Sequence, residues 1–185
     1  MNKIIAVAVI AALAGLHTLA QDMRWPMKTV ETINQARGGR GGRGGAPAPD
    51  PANAVTRDRL ANVIVKLSKT NLGVGNEVIT LKHAPPVRGT TSGDLKEVTI
   101  PFADKEKLMD GLKETLADFK KMTSATTSDR KEIYANPSGT FKAVTIRDGH
   151  KKFLEVTFKD ANDPTLFELP QQQVELFFNL LKNLK

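Results

Sequence analysis

Residues 37–51 cannot join a packed core, and that limits where along the chain a fold can form. They read Arg-Gly-Gly three times, from Arg37 to Gly45, and then Ala-Pro-Ala-Pro-Asp-Pro. The paired glycines lose too much backbone freedom on ordering, and the prolines stiffen residues 46–51 toward polyproline II. The composition predicts a disordered arm over residues 21–56, with the folded part after it. Ahead of the tract, Met23, Met27, Val30 and Ile33 sit at helical spacing, although Pro26 limits where a helix could start. Trp25, the only tryptophan, falls in this stretch, where it would either dock or stay disordered.

Residues 1–20 have the three parts of a secretory leader. A basic start at Lys3 precedes the apolar run Ile4–Leu16, and Thr18-Leu19-Ala20 puts small residues at the −3 and −1 positions before Gln21. The run is shorter than the ~20 residues a membrane span needs, and it lacks the arginines of a mitochondrial presequence. Export to the periplasm or the medium is the expectation, with the mature chain starting at Gln21. The chain has no cysteine. In an oxidising compartment its fold must then rest on the hydrophobic core alone. A lipoprotein anchor, a thiol nucleophile and a Cys-ligated metal are all excluded. No second apolar run is long enough to suggest a membrane span. The net charge is +7, but residues 57–185 hold 21 basic against 17 acidic groups, so the folded part is only mildly basic.

Past the tract, strand and helix patterns alternate. Residues 62–67, 77–82 and 96–102 read as strands, followed by a helix on which Asp104 is the cap and Leu108, Leu112, Leu116 and Phe119 form the apolar face. Residues 131–135, 141–147, 152–159 and 165–169 read as strands again. Pro170 then opens a helix with Val174, Phe177, Phe178, Leu181 and Leu184 turned inward. Glu97-Val98-Thr99 recurs as Glu155-Val156-Thr157. The expected fold is α+β, with two repeats of antiparallel strands each followed by a helix, at 57–122 and 129–185.

Asp148-Gly149 signals a hairpin in which Arg147 faces His150, with Phe141, Ala143, Leu154, Val156 and Phe158 on the core side. The opposite side mixes Val144, Ile146 and Phe153 with Lys142, Lys151, Glu155 and Thr157, so it is expected to be covered by the other repeat or to bind something. In the last helix Leu176 and Leu180 widen the apolar stripe past the inward face. They mark an interface, for self-association or for packing between the repeats.

No catalytic constellation is visible, and the chain reads as non-enzymatic with no cofactor. His83 and His150, the only histidines of the mature chain, have no second ligand at helical spacing, so no metal site is expected and both read as surface loop residues. The glycines of 73–75 lack the Lys-Ser/Thr of a phosphate-binding loop, and no Gly-x-Ser-x-Gly occurs. The carboxylates at 104, 106, 110 and 114 alternate with lysines as on a solvated helix face.

The Arg-Gly-Gly triplets resemble the RGG boxes of nucleic-acid-binding proteins. The repeated strands-then-helix plan, clearest over 131–184, is similar to the PC4, PUR and Whirly groups of single-strand binders. That resemblance implies a curved sheet that takes up the strand and helices that dimerise. The expected function is a secreted or periplasmic binding protein for a polyanion: nucleic acid, acidic polysaccharide or an anionic surface. Arg37, Arg40 and Arg43 would supply mobile charge, Lys142, Lys151 and Lys152 a fixed patch, and Phe153 a stacking platform. The alternative is a structural or protein-interaction subunit of the cell envelope that uses the apolar C-terminal helix.

Overall fold

The computed structural model describes residues 20–34, 54–84, 95–121, 128–159 and 164–185. Among them run β1 (Gln21–Asn34), β2 (Ala54–Asn71), β3 (Glu77–His83), β4 (Lys96–Pro101), β5 (Asp129–Ala135), β6 (Phe141–Asp148), β7 (Lys151–Lys159) and β8 (Pro164–Leu169). All pair antiparallel in one sheet of order β4-β3-β2-β1-β8-β7-β6-β5. The helices are α1 (Lys105–Lys121), entered through a 3-10 turn at Phe102–Asp104, and α2 (Gln171–Asn183).

One continuous sheet replaces the expected two repeats, although the α+β character stands. The cause is β1. Residues 21–34, expected within the disordered arm, form a strand paired along its whole length with β2, from Gln21–Leu67 to Asn34–Ala54. On its other side β1 meets β8 at Met27–Phe167 and Lys28–Leu166, and this short ladder joins the two halves of the sheet. The ladder stops beside Pro26, which has no N–H to extend it. Met23, Trp25 and Met27 alternate with polar residues at the strand period of two, which competes with the helical spacing of Met23 and Met27. Tertiary burial decides between the two: Trp25 is 0% exposed and lies edge-on to Phe167 and Phe177, with ring centroids 5.4 and 5.1 Å away.

The sheet is curved, and one face holds the core. Val63, Val65 and Leu67 of β2, Ile79 and Leu81 of β3, Phe141 of β6, Val156 and Phe158 of β7 and Phe167 of β8 all point inward. Leu108, Leu112 and Phe119 of α1 and Val174, Phe177 and Leu181 of α2 close over them. The α2 helix starts on the carbonyl of Pro170, which accepts from the N–H groups of Gln173 and Val174 at 2.9 and 3.1 Å. Gly111 lets α1 approach β5: a Cβ there would stand 2.9 Å from Ile133 Cβ and 3.0 Å from its carbonyl oxygen. Curvature brings the two ends of the sheet together. Asn136, buried in the β5–β6 turn, donates through Nδ2 to the Thr99 carbonyl of β4 at 2.8 Å and accepts through Oδ1 from the Phe141 N–H at 2.8 Å.

The β6–β7 hairpin has a register two residues away from the expected one. Asp148 pairs with Lys151 and Phe141 with Phe158, so the loop is Gly149-His150. Gly149 has φ 56°, as the first position of a type II′ turn requires. A shift of two residues keeps every side chain on its face, so the expected core side is the observed one. His83 differs from its expected surface position. It ends β3 on the core side, 1% exposed, with ring centroids 5.5 Å from Phe158 and 5.2 Å from Phe167.

Candidate functional site

Over residues 22–28 of β1 and 60–67 of β2, alternation sends odd-numbered residues inward and even-numbered ones to the opposite face. That outer face carries Asp22, Arg24, Pro26 and Lys28 on β1, and Leu60, Asn62, Ile64 and Lys66 on β2. The register sets Asp22 opposite Lys66, Arg24 opposite Ile64, Pro26 opposite Asn62 and Lys28 opposite Leu60. Leu60 and Ile64 are each 51% exposed, and Arg24, Asn62 and Lys66 are exposed as well. A bare sheet face is ordinary in antiparallel architecture, but a polar surface is expected there. Two branched aliphatics in water, flanked by three cations and one carboxylate, depart from it. Lys82 of β3 continues the row beyond Lys66 and is paired with Glu97 at 2.8 Å.

Of the residues singled out from the sequence, the described lysines and Phe153 do not assemble into one patch. Arg37, Arg40 and Arg43 lie outside the described residues. Lys142 stands on the outer face of β6 in an ion pair with Glu132 at 2.7 Å. Lys151 is exposed at the hairpin tip, six residues along β7 from the position opposite Lys142, or about 20 Å at strand rise. Lys152 turns to the core side and donates to the Phe119 carbonyl near the end of α1, where a cation suits the helix dipole. Phe153 is half-buried on the outer face, opposite Ile146. Beside it Glu155 is tied to Arg130 at 2.6 Å, so the basic groups of this region are matched by acidic ones.

The C-terminal helix is largely satisfied within the chain. It packs on α1, β1, β7 and β8, and Leu180 joins the core cluster as a partly buried residue. Leu176, at 37% exposed, is what remains of the expected interface. Lys105 of α1 donates to the Leu184 carbonyl at 2.6 Å, which closes the end of α2.

Among the described residues no group of three His, Asp or Glu side chains is placed to hold a metal ion. Burial lowers the pKa of His83, with the Lys96 charge acting in the same direction and the Ala84 backbone partly opposing it. The ring is therefore a neutral core group, packed edge-on and tilted against Phe167 and Phe158. Tyr134 is held far above its usual range, first by burial and then by the Asp104 carboxylate that accepts its hydroxyl hydrogen at 2.8 Å. That pair anchors the start of α1 to β5. A cleft of about 640 Å³ opens between β4 and the β5–β6 turn, lined by Lys96, Glu97, Ser138, Thr140 and Lys159 among others; its Glu97 carboxylate is drawn to Lys82 at 2.8 Å.

The sequence did not single out Arg24, Lys28, Leu60, Ile64 and Lys66, because their significance depends on β1. With residues 21–34 taken as arm, no strand is available to set Arg24 and Lys28 beside Ile64 and Leu60. Compared with family models, with curated proteins and with solved structures, the chain matches none.

Proposed function

We propose that this chain is an exported, non-enzymatic binding protein for a polyanion, which it takes up on the outer face of β1 and β2. The observation that carries the proposal is the pairing there of exposed Leu60 and Ile64 with Arg24, Lys28 and Lys66. Cations on a rigid sheet are held at fixed spacing. Arg24 and Lys28 are four residues apart on one strand, about 14 Å, so a linear anion meets them without the chain paying to order them. The connection from β1 to β2 contains Arg37, Arg40 and Arg43 in sequence, so further positive charge is tethered to the same two strands. The leader pattern of residues 1–20 supports a periplasmic or secreted location.

The test is retention of the purified chain on an immobilised polyanion over a salt gradient. Binding by charge releases counterions, so affinity falls linearly on a log–log plot against salt. Replacing Arg24 and Lys66 with alanine removes two exposed cations, and it should lower the slope by about one for each. Passage through the column unretained at low salt would overturn the proposal.

A further inference from the structure

We infer that the polyanion is an acidic polysaccharide and not single-stranded nucleic acid; this rests on the reading of β1–β2 as the binding face and narrows its ligand. Sheets that bind single strands do so by stacking bases on exposed aromatic rings, each worth about 1–3 kcal/mol. This chain has ten aromatic residues, one Trp, one Tyr and eight Phe, all among the described residues. Seven are buried, and the other three are only half-exposed. Of those three, Phe102 lies under the Lys69 ammonium at 4.1 Å and Phe178 packs against the core from α2. The third, Phe153, is three strand spacings from β2, about 14 Å across the sheet, in a region where acidic groups match the basic ones.

On β1–β2 the positions that would hold stacking rings carry Leu60, Asn62 and Ile64. Aliphatic side chains offer a base no π-face, but they cover the C–H face of a sugar ring. The Asn62 amide both donates and accepts, which suits hydroxyl groups. Arg24, Lys28 and Lys66 supply counter-charge for sulfate or carboxylate groups, and Arg24 can hold a carboxylate in two parallel bonds. This is the surface a polymer of acidic sugars needs, with apolar and charged contacts side by side.

The experiment titrates the full chain at one low salt concentration with three probes of matched charge: a heparin fragment, an oligothymidylate and linear polyphosphate. The inference expects the heparin fragment to bind about tenfold tighter than the other two, a difference of about 1.4 kcal/mol. It also expects the oligothymidylate to bind no tighter than polyphosphate. Replacing both Leu60 and Ile64 with serine, at exposed positions, should remove most of the heparin preference and leave polyphosphate binding unchanged. Oligothymidylate binding tenfold above polyphosphate, or a heparin preference untouched by the serine variant, would overturn the inference while the polyanion reading survives. If no probe binds, the polyanion reading itself fails, and the inference with it.

Discussion

His83 shows at the scale of one residue how far context overrides type. In sequence it is a polar residue ahead of Pro85-Pro86, with the features of a loop. In the fold it closes a strand and sits between two phenyl rings contributed by β7 and β8. A buried imidazole next to Lys96 resists protonation, so its folded pKa lies below the ordinary 6.5. This fixes the sign of the pH dependence. Above about pH 6.5 both states are neutral and the His83 contribution to stability is complete. As pH falls from there toward the folded-state value, the unfolded chain takes up a proton that the fold refuses, and stability drops. The slope from this group is at most about 1.4 kcal/mol per pH unit, and below the folded pKa it vanishes. Chemical denaturation between pH 7 and 5 should show this loss, and His83→Leu should flatten it. A wild-type profile flat across that window would contradict the burial of a neutral histidine.

β1 is the element on which the fold and the site both depend. Its core side brings Met23, Trp25 and Met27 under the helices, and its outer side brings Arg24 and Lys28 to the face. Trypsin should cut the Arg-Gly-Gly tract, as that sequence predicts, but the piece carrying β1 should stay bound, because β1 pairs with β2 along its whole length. A chain starting near residue 55 should not fold: it lacks Trp25, whose truncation to alanine alone would cost about 3–5 kcal/mol through lost burial and a cavity. Circular dichroism and size exclusion of the nicked and truncated forms check this. A truncated chain that melts cooperatively like the intact one would show that β1 is dispensable. Most elements after residue 57 were legible in the sequence, because period-two alternation and the Leu108–Phe119 stripe are strong local signals. β1 was not legible. Its Met-rich, Pro-interrupted alternation is weak beside the adjacent Gly/Pro tract, and it becomes a strand through pairing with β2 across that tract and burial against residues more than a hundred positions away, such as Phe167 and Phe177.

At the scale of the whole molecule, joining the halves through β1 and β8 decides which surfaces are left bare. The α1 and α2 helices cover one face of the curved sheet, Asn136 ties the β5–β6 turn to β4, and α2 buries most of its apolar circumference inside the chain. The Lys142 and Lys151 positions chosen from the hairpin lie on the outer face as expected, but about 20 Å apart at strand rise, with Lys142 paired to Glu132. Lys152 was grouped with them as a surface charge, although the register already put it on the core side; the sequence does not show the end of α1 there, whose Phe119 carbonyl takes up its ammonium. The β1–β2 face emerges only after every strand is in place, since a local sequence pattern does not reveal which sheet face stays uncovered. Residue-resolved amide shifts during titration of the chain with a heparin fragment show which face takes up the ligand. The largest changes are expected on residues 22–28 and 60–66. Changes confined to the β6–β7 hairpin or to α2, with β1 and β2 unmoved, would contradict binding on the β1–β2 face.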